Sequence, residues 1–227
     1  MIYAKILERL QSLSNPNIVK SMERYGINTK NLYGVPIPEL RLIAKEVGKD
    51  HELALKLWES SIHEARMLAT MIDDPNMVSE DQMGAWIKDV DSWDICDACC
   101  GNLFDKTPYG YRKAVEWSAR EEEYVKRAGF VLMAELAVHD KKSKDEQFYE
   151  FFPIIIREST DDRNLVKKAV NWALRQMGKR SITLNQRALY TCEQLRKSSS
   201  RTARWIATDA SRELMSKKVQ TKLRTQQ

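Results

Sequence analysis

Asp91-Ser92-Trp93-Asp94-Ile95-Cys96-Asp97 is the stretch whose residue types and spacing could do chemistry. It reads as the start of a helix, with Asp91 or Ser92 placed to accept a hydrogen bond from a free N–H of the first turn. Trp93 and Asp97 are four residues apart, so they share a face, one turn from each other. An aromatic plane and a carboxylate then point the same way. That suits a cationic ligand, or a transition state that gathers positive charge. The plainer alternative is a core tryptophan on a helix whose aspartate is merely solvated.

Two further stretches carry candidate residues. From 162 to 178, Val166, Val170, Ala173 and Met177 form an apolar stripe that should face the core. Opposite it, at steps of four, three and four, stand Lys168, Trp172, Arg175 and Lys179. Cations there fit phosphates, and a flat ring fits a sugar or base. The alternative is a tryptophan covered by a neighbouring helix, with lysines snorkelling around it. The helix expected over 121–138 is apolar on nearly every side. Between Arg127 and Val138 only Arg127 and Glu135 are charged. A buried guanidinium needs a partner, either a carboxylate of the protein or a bound phosphate.

These residues must be positioned by helices. The 3.6-residue period runs through almost every segment, and no strand alternation stands out. Helices are expected near 2–13, 16–25, 37–47, 51–60, 62–72, 79–89, 92–104, 108–118, 121–138, 145–158, 162–178, 183–197 and 201–216. Turn chemistry marks the breaks at Ser14-Asn15-Pro16, Tyr33-Gly34-Val35-Pro36, Asp73-Asp74-Pro75-Asn76, Thr107-Pro108 and Ser198-Ser199-Ser200. No linker divides the chain, so one all-α domain over 1–227 is expected, with 219–227 a disordered tail. A basic residue early in a helix, followed by small or apolar residues, recurs at Arg66, Arg127, Lys168 and Arg204. The intervals are 61, 41 and 36 residues, around the ~40–47 of HEAT-type helix pairs. Such pairs stack and curve, leaving a long concave surface.

Composition narrows the partners. The chain has 43% hydrophobic and 30% charged residues, with only 8 Gly and 6 Pro. No stretch approaches the roughly 20 apolar residues of a membrane span, and the start of the chain has no signal-like apolar core. A cytoplasmic monomer is expected. Net charge is +5, but from Asp161 to Gln227 there are 16 Lys+Arg against 5 Asp+Glu. The remainder carries 21 against 27. A basic half of this strength points to a polyanion. Cys96, Cys99 and Cys100 lack a second ligand pair at usable spacing, and His51, His63 and His139 are scattered singly. The cysteines read as small apolar residues, with no metal and no cofactor expected.

At this point the chain resembles the DNA alkylation repair family of HEAT-like-repeat proteins, the AlkD-type alkylpurine DNA glycosylases. The residues that carry the resemblance are Ser92-Trp93-Asp94-Ile95-Cys96-Asp97, Tyr124-Val125-Lys126-Arg127-Ala128 and Ala169-Val170-Asn171-Trp172-Ala173-Leu174-Arg175. Met22-Glu23-Arg24-Tyr25 and Leu32-Tyr33-Gly34-Val35-Pro36 add to them, so the likeness spans roughly Met22 to Arg196. It implies a C-shaped solenoid of about 12–14 helices that grips double-stranded DNA containing alkylated bases. By carry-over, Trp93 and Trp172 flank the damaged nucleotide, Asp97 is the catalytic carboxylate and Arg127 holds a backbone phosphate. Lys168, Arg175, Lys179, Lys126 and Tyr25 join the DNA-binding set. The reading requires Trp93, Asp97, Arg127 and Trp172 to converge. The resemblance also implies that the lesion stays in the duplex and is contacted through its deoxyribose. A Cys-rich 96–100 stretch departs from the family pattern. A non-catalytic binder of branched or distorted DNA is the alternative within the family.

Overall fold

Asn15, Asp50, Ser79, Ser181, Ser200 and Ser216 each turn a side-chain oxygen onto a backbone N–H at a helix start. These caps, with prolines in the first turns of two early helices, cut the chain into short helical rods. The computed structural model describes residues 2–225, and among these the regular structure is helical, with no strand.

The chain gathers into two compact units, residues 1–107 and 108–227. The first holds α1 (Ile2–Ser12), α2 (Pro16–Arg24), α3 (Ile37–Val47), α4 (His51–Glu59), α5 (His63–Ile72), α6 (Glu80–Asp89) and α7 (Trp93–Ala98). Helix α5 is its hub. It packs on α3, α4 and α7, and Ala65, Leu68, Ala69 and Ile72 along it are fully buried. The buried Glu64 carboxylate collects the backbone N–H groups of Tyr33, Gly34 and Val35, which fixes the loop before α3. Gly34 in that loop has φ +77°, and a Cβ there would lie 2.5 Å from the Asn15 carbonyl oxygen, so only glycine fits. Trp58 and Trp86 stack at 4.1 Å, and the Arg66 guanidinium lies over the Trp58 ring, 4.9 Å from its centroid.

The second unit holds α8 (Gly110–Ser118), α9 (Glu123–His139), α10 (Phe151–Glu158), α11 (Asn164–Gly178), α12 (Ile182–Arg196), α13 (Arg201–Leu214) and α14 (Lys217–Arg224). Helix α11 sits between α9 and α13 and backs onto α12. Gly129 lets α9 close on α8, since a Cβ there would lie 2.4 Å from the Ser118 backbone nitrogen.

Three boundaries differ from expectation. The helix expected over 92–104 is α-helical only as far as Ala98, then widens into a π-helical turn at Cys99–Leu103 and a 3-10 turn at Phe104–Lys106. Lys106 Nζ donates to the carbonyls of Gly101 and Asn102 at the end of that wider turn. The helix expected over 145–158 breaks into a 3-10 turn, Asp145–Phe148, and α10. Pro153 would disrupt the interior of one long helix, but it falls in the first turn of α10. Finally, most of the expected disordered tail is α14, held by buried Val219 and Leu223 and by Gln220 donating to the Leu214 carbonyl. Residues 226 and 227 lie outside the described residues. No helix among the described residues is long and apolar enough to cross a membrane.

Candidate functional site

Helix α7 presents Trp93 and Asp97 one turn apart, both part-exposed, while Ile95 and Cys96 between them are buried. Trp93 Nε1 donates to the Tyr25 carbonyl at 3.1 Å, which ties the indole to the end of α2. Tyr25 itself is 71% exposed, so its ring stands in solvent beside that anchor. The first-turn cap differs from expectation. Ser92 Oγ makes no bond to the helix N–H groups and instead donates to Asp94 Oδ1, which also accepts the Ile95 N–H at 3.0 Å. Asp91 accepts from Asn28. Asp94 Oδ2 lies 2.9 Å from Nε2 of the buried His63 on α5.

Beneath this face, Cys96, Cys99 and Cys100 are fully buried. Burial pushes the Cys99 and Cys100 thiols well above their ordinary value, so they remain neutral and pack as small apolar side chains. Among the described residues no group of three His, Cys, Asp or Glu side chains could hold a metal ion.

In the second unit, Arg127 on α9 is 6% exposed and its Nη1 donates to the Leu165 carbonyl in the first turn of α11 at 2.8 Å. Lys126 is equally buried. Its ammonium lies 2.9 Å from Glu158 and 3.4 Å from Asp161. Lys126 was expected to meet DNA. The structure assigns it instead to an internal ion pair across the α9–α10 junction, because an unpaired ammonium at this burial is too costly.

The stripe on α11 also divides. Lys168 is exposed and has no carboxylate partner among the described residues, and Trp172 is part-exposed. Arg175 reaches α13, with Nη1 3.2 Å from Asp209 and Nε 2.9 Å from Glu213, the latter off the angle of a hydrogen bond. Lys179 Nζ pairs with Glu213 at 2.7 Å. Asn171 donates to Asp209 as well. These contacts form a ladder between two adjacent helices, so the positive charge of Arg175 and Lys179 is largely balanced within the protein.

Sequence reasoning missed two features. The His63–Asp94 pair joins residues on different helices, and no local pattern marks it. Trp205 on α13 is 42% exposed with Lys167 Nζ 5.8 Å from its ring. The spacing of Arg201, Trp205, Thr208 and Arg212 could have exposed it, because it repeats the cationic–aromatic pattern of α11.

A solved structure matches with a TM-score of 0.75 at 19% identity, over 92% of this chain and 94% of that one. It belongs to "a new family of proteins related to the HEAT-like repeat DNA glycosylases with affinity for branched DNA structures". The likeness defines the fold as an all-α HEAT-like repeat. The family model for the DNA alkylation repair enzyme matches residues 6–214, and the chain belongs to that family. An uncharacterised protein of Listeria innocua serovar 6a and one of Listeria monocytogenes serovar 1/2a are each 28% identical over 130 residues. Those matches cover 56% of this chain and 58% of each relative, so the chain spans less than two thirds of the length of the curated relatives it matches.

Proposed function

We propose that this protein is a DNA glycosylase that hydrolyses the N-glycosidic bond of cationic N3- and N7-alkylated purines, such as 3-methyladenine and 7-methylguanine, in duplex DNA. One observation carries the reading: α7 holds a part-exposed carboxylate one turn from a part-exposed indole whose N–H is pinned to the Tyr25 carbonyl. An alkylated purine of this kind already bears a positive charge and departs as a neutral base. Its departure leaves an oxocarbenium-like sugar. Asp97 stabilises that cation and orients the water that adds to it. Trp93, one turn from Asp97, lies against the cationic base and the sugar C–H edges. Lys168, which is exposed, binds a phosphate, whereas the buried guanidinium of Arg127 is held by the Leu165 carbonyl. The lesion stays in the duplex and is contacted through its deoxyribose.

The test is base release from methylated duplex DNA. Asp97→Asn should retain DNA binding and lose base release by on the order of 100-fold or more. Equal release by the variant and its parent would remove Asp97 from the chemistry. A second reading, a non-catalytic binder of branched DNA, is favoured by the described affinity of the solved neighbour. It requires no free base from the parent protein and tighter binding to a four-way junction than to linear duplex.

A further inference from the structure

Helix α13 completes its core face with Ala203, Ile206, Ala207, Ala210 and Leu214, all fully buried. Trp205 plays no part in that face. It stands on the opposite side, 42% exposed, in line with Arg201, Thr208 and Arg212, which are also exposed. Lys167 of α11 places its ammonium 5.8 Å from the indole centroid. Arg204, beside Trp205, is anchored by its guanidinium to the Ser198 and Ser199 carbonyls at the end of α12. Those contacts hold the group without neutralising it. Lys167, Lys168, Arg201 and Arg204 have no carboxylate partner among the described residues. Asp209 and Glu213, the acidic residues of α13, are engaged by Arg175, Lys179 and Arg212.

An indole left in water costs free energy unless something covers it, and this one is ringed by cations whose counter-charge the protein does not supply. A base can stack on such a ring while its phosphates meet the surrounding cations. In an intact duplex both faces of each base are already covered by neighbours. Away from a duplex end, an open face comes from an unpaired strand.

We propose that Trp205, with Lys167, Lys168, Arg201 and Arg204, forms a second nucleic-acid contact, which takes single-stranded DNA adjoining a duplex. The proposal rests on the reading that this protein works on DNA, and it is separate from the chemistry assigned to α7.

The test compares the full chain on a blunt duplex and on the same duplex extended by a single-stranded tail of roughly ten nucleotides, within the span such platforms cover. The parent should bind the tailed DNA about 10-fold more tightly. Trp205→Ala should lose that preference while binding blunt duplex like the parent, and Trp205→Phe should keep most of it because a ring remains. Base release from methylated blunt duplex should be the same for all three. A parent without preference for the tail, or a Trp205→Ala variant that keeps the preference, overturns the proposal. Failure to release base alongside a Trp205-dependent preference would overturn the glycosylase reading and leave this one standing.

Discussion

Asp94 follows Trp93 directly but serves the helix rather than the ligand. Burial pushes its carboxyl up, yet the hydrogen bonds from His63, Ser92 and the Ile95 N–H outweigh burial and hold it below its ordinary 3.8. A depressed carboxyl contributes stability above its unfolded-state value, and that contribution is lost as pH falls through the folded value. Melting temperature should therefore fall below about pH 4, and Asp94→Asn should flatten that fall. The same variant should lose base release more than DNA affinity, because α7 would no longer be fixed at its first turn. An unchanged acid profile would remove the His63–Asp94 pair from the stability of this unit. Lys126 makes the opposite case to its neighbour in the sequence. Removing one partner of a buried ion pair costs about 3–5 kcal/mol, so Lys126→Ala should melt on the order of 10 °C lower than the parent. The salt dependence of DNA binding should not move. A lower salt slope at parental stability would return Lys126 to the DNA interface.

At the scale of helices, α11 separates binding charge from packing charge. Lys168 should contribute about one unit to the slope of log affinity against log salt. Arg175→Ala and Lys179→Ala should lower the slope by less and should destabilise the α11–α13 contact, since each breaks a rung to Asp209 or Glu213. Titrations at several salt concentrations check this, and equal slopes for all three variants would contradict it. The helices themselves were legible because apolar residues recur at the helical period and prolines and caps mark the starts. What stayed hidden depends on partners far along the chain. Lys126 meets Glu158 thirty-two residues on, and Lys179 meets Glu213 thirty-four residues on. From the sequence alone each is simply a cation on a helix. Helix α14 escaped notice because only Val219 and Leu223 mark its inner face, among exposed lysines.

For the molecule as a whole, the family and the HEAT-like fold were legible in three short motifs read in order, and both stand. The charge asymmetry was legible too, but its use was only partly so. Some of the basic second half stabilises the helix stack, and some is left without acidic partners around Lys168 and Trp205. The central claim is chemical: a carboxylate on α7 cleaves the bond to a cationic purine. The measurement that tests it most directly is chromatographic detection of free 3-methyladenine and 7-methylguanine after incubation with methylated duplex DNA, with Asp97→Asn run beside the parent. The account predicts time-dependent release by the parent and at least about 100-fold less by the variant, at similar DNA binding. DNA binding by the parent with no base released above the level without protein would contradict it.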